Sequence, residues 1–336
     1  MIILAGDIGG TKTNLGLFER SKATGELTKI DEKTVPTNSF PSPEDMMCSF
    51  VSNRPKHVKV DTAAFGIAGP VTNGVCLGEN LPWQREVRDT SLAHALNIKR
   101  ASLLNDLAAT ANGVRFLKDE QIVTLHEGER IEGGNMAVIA AGTGLGEAAL
   151  IWQGKDYEPL PLEGGHTDLA IRNEQEIELF QFLLTIERPV NQEAVLCGSG
   201  LFNVFRFLRH TGRYPEPPQL AQEIDAAGEK EKPGLVSKFA LERKAKIYEK
   251  TLDIFLSMYG ARAGNLAMTL MATGGVFIGG GIAPKNLGRL RDGIFMKAFL
   301  DKGFFRRFME KMPVHVVLEQ KTALIGAAHY AASHAS

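Results

Sequence analysis

The stretch Leu4–Glu19, LAGDIGGTKTNLGLFE, decides how the rest of the chain is read. Ile2, Ile3, Leu4 and Ala5 form a short apolar run, and Asn14 to Glu19 is too short and glycine-interrupted for a helix. The pattern predicts a strand, a glycine turn and a returning strand. Asp7 stands at the tip of the first strand. Gly9 and Gly10 tolerate backbone angles closed to other residues, so the amides from Gly9 to Thr13 can turn toward one anion. A phosphate fits that description, with Asp7 placed to hold its Mg²⁺. Two common phosphate motifs fail here. A dinucleotide loop opens a helix rather than a strand, and a Walker A loop needs a second glycine where Thr11 stands, although Lys12 and Thr13 are present. A plain hairpin carrying a solvated Asp fits this stretch equally well, so the context must decide.

Length and composition narrow the context. A chain of 336 residues exceeds one small core, and about 150 residues per domain predicts two lobes. Hydrophobic residues at 44% and charged residues at 23% describe a globular protein, against disorder or a fibrous class. A net charge of −1 gives no broad attraction to nucleic acid or to an anionic membrane. Cys48, Cys76 and Cys197 are too few and too far apart for a disulfide framework or a zinc knuckle, which suits a reduced, cytoplasmic setting. The N-terminus has no signal-peptide pattern, and no apolar run approaches the roughly 20 residues of a membrane span.

Further along, Ser21 to Asp31 reads as a polar segment, and the proline-punctuated residues 37–43 lead to a helix near Glu44. Asp61 to Ile67 is a buried strand ending in Gly66-Ile67-Ala68-Gly69-Pro70, where small residues allow close approach. Glu79-Asn80-Leu81-Pro82-Trp83 is a polar loop with Trp83 expected as a core anchor. The strand Ala101 to Leu104 stops at Asn105-Asp106 before a small-residue helix. An Asp there lies where open α/β sheets place a ligand crevice, and it also suits a helix cap. Ala137 to Trp152, AVIAAGTGLGEAALIW, repeats the opening plan around Gly142-Thr143-Gly144-Leu145-Gly146. Two such hairpins imply related lobes around a shared cleft, each offering a glycine turn.

Glu163 and His166 flank two glycines on a loop, and Glu193 precedes Cys197-Gly198-Ser199-Gly200; these are candidate partners for several hydroxyls. Metal binding by this His lacks companions at ligand spacing. Residues 214–234 read as an exposed excursion with one short helix at 219–227. An apolar stripe from Leu241 to Leu270 predicts the longest helix. The strand Val276 to Ile278 meets Gly279-Gly280-Gly281, expected to leave room for a nucleotide base or ribose. Arg306, Arg307, Lys302 and Lys311 beside Phe304, Phe305 and Phe308 read as an amphipathic helix with a solvated basic face rather than a nucleic-acid site. A late strand spans 313–318 and a small-residue helix 322–333.

Taken together, these stretches resemble the bacterial glucokinase family of the hexokinase, actin and heat-shock-chaperone superfamily, over nearly the whole chain. The resemblance rests on Gly6 to Lys12, Gly66 to Pro70, Asn80 with Trp83, Asn105-Asp106, Gly142 to Gly146, Glu163 to His166, Glu193 and Gly279 to Gly281. It implies an α/β, two-lobed actin-like ATPase (ribonuclease H-like) fold, with a cleft between a small α/β lobe (1–112, with 322–336 packing back on it) and a larger α+β lobe (113–321). It further implies ATP-dependent phosphorylation of glucose at its 6-hydroxyl. Asp106 is then the catalytic base. Asn80, Asn105, Asp106, Glu163, His166 and Glu193 are sugar ligands. Gly9, Gly10, Thr11, Lys12, Gly142, Thr143, Gly144, Gly279, Gly280 and Gly281 bind ATP, and Asp7 is on the Mg²⁺ side. A homodimer is the family expectation, with no nucleic-acid or membrane partner. Two departures stand out: Leu107, where a Phe is common, and Glu147, where an apolar residue is usual; neither alters a polar group on which the reading relies. A kinase of another hexose or N-acetylhexosamine is the alternative, followed by a non-catalytic sugar sensor or actin-like ATPase. The zinc motif of the related repressor and sugar-kinase family is absent.

Overall fold

A computed structural model describes residues 1–52 and 59–335; Ser336, in the expected C-terminal segment, lies outside them. The chain divides into two compact units: Met1–Gln121 with Ala148–Pro161 and Glu319–Ser336, and Ile122–Glu147 with Leu162–Leu318.

In the first unit, β1 (Ile2–Ile8) is buried along most of its length because both faces are covered. Leu4 and Ile8 join one core with Leu15, Met46, Met47 and Phe65, while Ile3 and Ala5 join a second with Ala109, Leu324 and Ala328. This is the two-residue alternation of a strand. β1 forms an antiparallel hairpin with β2 (Lys12–Arg20), which pairs with β3 (Leu27–Pro36). On its other side β1 runs parallel to β4 (Thr62–Ile67). A small three-stranded patch, β5 (Val71–Thr72), β6 (Val75–Cys76) and β7 (Val87–Arg88), precedes β8 (Ala101–Asn105), which is parallel to β4. The main sheet has the order β3-β2-β1-β4-β8.

The helices Asp106–Val114 and Thr322–Ser333 cover the Ile3 face. Their glycines set the spacing: a Cβ on Gly326 would lie 1.8 Å from the Ala109 carbonyl, and one on Gly113 2.1 Å from that of Thr322. Asn112 Nδ2 donates to the Gly326 carbonyl at 2.8 Å.

Two expectations change in this unit. The segment read as merely polar contains the first half of β3, an edge strand whose residues are largely exposed. It forms through backbone bonds to β2, and its few apolar residues, Leu27, Ile30 and Val35, fall into no alternating pattern. Trp83 is only partly buried at the edge of its core, with Nε1 donating to the Phe40 carbonyl at 2.8 Å.

The second sheet contains β9 (Ile122–His126), β10 (Met136–Ala141), β11 (Leu145–Trp152), β12 (Tyr157–Leu162), β13 (Gly275–Gly279) and β14 (Val314–Val317). Its order, β12-β11-β10-β13-β14-β9, repeats that of the first sheet with β9 added. The internal echo of the two glycine hairpins is therefore a repeat of strand order. The longest helix is Lys246–Leu270, with Tyr248, Phe255 and Tyr259 in the core. It starts later than the apolar stripe because Arg243 adopts φ 53°, which ends the preceding helix, Lys232–Leu241. The 214–234 excursion holds the expected short helix, Pro218–Ala226, and the start of this further one. Pro233 in its first turn is tolerated there. The basic aromatic segment is not one amphipathic helix but a 3₁₀ turn, Gly303–Phe305, and the short helix Arg306–Met309, with Phe304 95% exposed.

His329, in the first unit, stacks on Phe116 with centroids 3.4 Å apart. Burial, with Arg115 and Arg20 nearby, lowers its pKa to about 4. The unfolded chain, titrating near 6.5, binds the extra proton first, so stability falls as pH drops from 6.5 towards 4. His329→Phe keeps the stack without the titration. Discounted for the partly exposed ring, its advantage over the parent at pH 4.5 relative to pH 7 should be about 2 kcal/mol. Parallel pH profiles in thermal unfolding would refute this.

Candidate active site

The predicted residues fall into two sets, one in each unit. In the first, the hairpin closes with Ile8 opposite Thr13 and Asp7 opposite Asn14. The Gly9 amide donates to the Lys12 carbonyl at 3.1 Å, while Gly10, Thr11 and Lys12 are exposed at the tip. Gly10 must lack a side chain, since a Cβ there would lie 2.6 Å from the Asn80 carbonyl. Asn80 is exposed beside this turn.

Two residues without a sequence-assigned role hold the turn in shape. Thr37 is fully buried; its hydroxyl donates to the Gly9 carbonyl at 2.7 Å and lies 3.0 Å from the Thr13 hydroxyl. Its amide donates to the Thr11 carbonyl at 3.0 Å. Asn14 donates from Nδ2 to Asp7 Oδ2 at 3.0 Å and accepts from the Thr34 hydroxyl at 2.8 Å. Burial pushes the Asp7 carboxyl up, against the Asn14 hydrogen bond and the charge of Lys12. A desolvated carboxylate at the end of a strand is an arrangement that a divalent cation relieves.

Asn105, not Asp106, is the helix cap. Its Oδ1 accepts from the amides of Leu107 (2.9 Å) and Ala108 (3.3 Å), and its Nδ2 donates to the Gly69 carbonyl at 3.2 Å. Asp106 is the first helical residue, and its Oδ1 also accepts from the Leu107 amide at 2.9 Å. Gly66 links the two acids: it pairs with Asp7 across β1 and β4, and a Cβ on it would lie 3.5 Å from Asp106 Cα.

In the second unit, the Gly142 amide donates to the Gly144 carbonyl at 2.8 Å, and the Gly198 amide donates to the Gly142 carbonyl at 2.9 Å. Thr143 is exposed at the tip. The Leu145 amide donates to Glu193 Oε1 at 2.6 Å, and that oxygen would lie 2.5 Å from a Cβ on Gly144. Glu193 rides on the 3₁₀ turn Gln192–Ala194, capped by Asn191. That segment is bound to the next loop: the Gln192 amide donates to the Thr167 carbonyl at 3.0 Å and its Nε2 to that of Asp168 at 2.6 Å. Glu163 and His166, both exposed, flank the buried Gly164-Gly165 on this loop. The structure thus joins the glycine turn, Glu193 and the Glu163–His166 loop.

The three-glycine run is more particular than expected. Gly280 has φ 78°, and a Cβ there would lie 2.3 Å from the Ala141 carbonyl; Gly279 lies against Ala140. Only Gly281 is open, as is Gly142, each with nothing within 4 Å of its Cβ position. Glu147, read as neutral to the polar set, is buried under Gly164.

Two sheets of one order, each with a strand, glycine turn and strand, define the actin-like ATPase fold. A glucokinase family model matches residues 4–334, and the chain belongs to that family. It is similar to the glucokinase of Nostoc sp., at 40% identity over 98% of this chain and 99% of the relative. Among solved structures, a glucokinase from an Antarctic psychrotroph superposes with a TM-score of 0.84 at 28% identity, covering 99% of each chain. A ROK family glucokinase from Streptomyces griseus, in complex with glucose and AMPPNP, shares the fold with a TM-score of 0.65 at 20% identity, covering 99% of this chain and 100% of its own.

Thr37→Val removes the hydroxyl that ties Gly9 to Thr13 while keeping its volume. It should cost about 1–2 kcal/mol of stability, because buried partners lose a hydrogen bond. It should also raise the KM for ATP several-fold; unchanged KM and unfolding midpoint would show that the turn holds its shape without Thr37.

Proposed function

We infer that the chain transfers the γ-phosphoryl group of ATP to the 6-hydroxyl of glucose. The observation that carries this reading is Asp106 at the end of a parallel strand, next to Gly66 and hence to Asp7, in a chain of the glucokinase family. Phosphoryl transfer asks a protein for a positioned nucleophile and compensated phosphate charge, with little covalent work. Asp106 accepts the proton of the attacking hydroxyl. Its Oδ1 is held by the Leu107 amide, which fixes the carboxylate's orientation.

The sugar's other hydroxyls are matched by Glu163, His166 and Glu193, with Asn105 and Asn80 as further ligands. Carboxylates and imidazole give directional hydrogen bonds, so an epimer leaves one of them unpaired. Asn105 has little freedom, since its cap and its bond to Gly69 hold most of its side chain. The Gly9 and Gly142 amides close their own turns, so the phosphate oxygens fall to the tip residues Gly10, Thr11 and Lys12 of the first turn and Thr143 and Gly144 of the second. The open α-carbons of Gly142 and Gly281 admit the nucleotide, in keeping with the AMPPNP held by the Streptomyces griseus protein.

Asp7 is the residue that would hold Mg²⁺. No cluster of three metal-ligating side chains occurs among the described residues, but Mg²⁺ keeps waters and phosphate oxygens and needs only one or two carboxylates. When bound, the ion neutralises phosphate charge. A homodimer and a cytoplasmic setting complete this reading, and light scattering on the purified protein tests the dimer.

Asp106→Asn keeps an acceptor for the Leu107 amide, so the fold and glucose binding should survive while kcat falls by about 100-fold or more. The measurement is a coupled assay over a panel of hexoses and nucleoside triphosphates. Near-normal turnover removes Asp106 from the chemistry, and the absence of a preference for glucose overturns the substrate assignment.

A further inference from the structure

Glu147 is 1% exposed, and its two carboxylate oxygens accept from Arg262 Nε and Nη2, both at 2.6 Å. Arg262 projects from the middle of the helix Lys246–Leu270. The same Nη2 also reaches the Gly164 carbonyl at 3.3 Å, an oxygen that accepts from the Thr167 hydroxyl at 2.7 Å. The pair touches Gly164 directly: a Cβ there would lie 1.7 Å from Glu147 Oε2 and 2.5 Å from Arg262 Nη2. Next door, a Cβ on Gly165 would lie 2.2 Å from the Leu145 carbonyl. The floor beneath Gly164-Gly165 is therefore one buried ion pair and the first residues of β11.

We propose that Glu147 and Arg262 are positioning residues for glucose: their ion pair holds the Gly164-Gly165 backbone and so aims Glu163 and His166 at the sugar. This rests on the reading that Glu163 and His166 are sugar ligands. A buried ion pair is seldom worth more to stability than a well-packed apolar pair of similar volume. What it supplies is direction. The planar guanidinium fixes the carboxylate by two parallel bonds and still offers a donor to the Gly164 carbonyl. An aliphatic pair fills the space without a donor for that oxygen and without a flat surface against Gly164 Cα. Glu163 and His166 are exposed, so the aim of their side chains depends on this backbone.

The test is a set of three variants of the full chain, each measured for thermal unfolding, kcat, KM for glucose and KM for ATP. Arg262→Met alone strands a buried carboxylate and is avoided. The double variant E147L/R262M replaces the whole pair and should unfold within a few degrees of the parent. Its KM for glucose should rise by about tenfold or more, while KM for ATP stays within about twofold, because only the sugar ligands lose their aim. R262K keeps the charge but loses the fork, and should show a smaller rise, about threefold, in the same constant alone. The third variant, E163Q, separates the two readings. If it leaves KM for glucose unchanged, Glu163 is no sugar ligand, and the inference falls with that assignment. If E163Q raises it but E147L/R262M and R262K do not, the sugar reading stands and the positioning role is overturned. A parallel rise in both KM values, or activity lost only in proportion to folded protein, assigns the pair to structure and likewise overturns the proposal.

Discussion

One hydrogen bond, from the Leu145 amide to Glu193 Oε1 at 2.6 Å, holds the second unit's candidate site together. It is charge-assisted and short, and it places a carboxylate against the backbone of the Gly142–Gly144 turn. The bond can form only because Gly144 has no side chain where the carboxylate lies. From Glu193 the order spreads through Gln192 to the carbonyls of Thr167 and Asp168, and so to the loop that carries Glu163 and His166. Glu193 thereby supports both the Gly142–Gly144 turn and the loop that carries Glu163 and His166. Any change at Glu193 acts on both.

The first unit solves the same problem with different residues. Its sheet shares the strand order of the other and its turn also closes on glycine, but the turn is fixed by Thr37 and the acid by Asn14. Counting back two residues from the first turn glycine gives Asp7 on β1 and Ala140 on β10. The repeat is therefore one of backbone, with the strand-end carboxylate present in one copy only. A second desolvated carboxylate close by would raise the cost of burying both charges, so the single acid is the cheaper arrangement.

Much of this was legible in the sequence because it rests on local pattern. An apolar run followed by glycines reads as a strand and a turn wherever it occurs, and both hairpins, the Asn105-Asp106 junction and the Thr322–Ser333 helix lie where the pattern places them. The parts that were hidden depend on distant partners. Thr37 supports Gly9 from 28 positions away, and Asn14 takes the Thr34 hydroxyl across the β2–β3 pair. β3 is an exposed edge without an apolar face, and the helix Lys232–Leu241 opens on Pro233-Gly234, which reads as a break. The division of labour between Asn105 and Asp106 needed the hydrogen bonds themselves, since either residue type is a good cap.

Glu147 shows how such concealment arises. By type it is a departure from an apolar position, directly after the second glycine turn, in a strand that is otherwise largely buried. Its partner stands 115 residues later, on a helix whose apolar stripe says nothing of the one arginine that faces inward. The reason for the charge lies in a third place, the Gly164 carbonyl. A buried carbonyl at the start of a tight turn must find donors, and Thr167 supplies some. Arg262 supplies another, but an arginine taken out of water requires an anion, and Glu147 is the anion within reach. The acid therefore follows from the arginine, and the arginine from the backbone of the loop it supports.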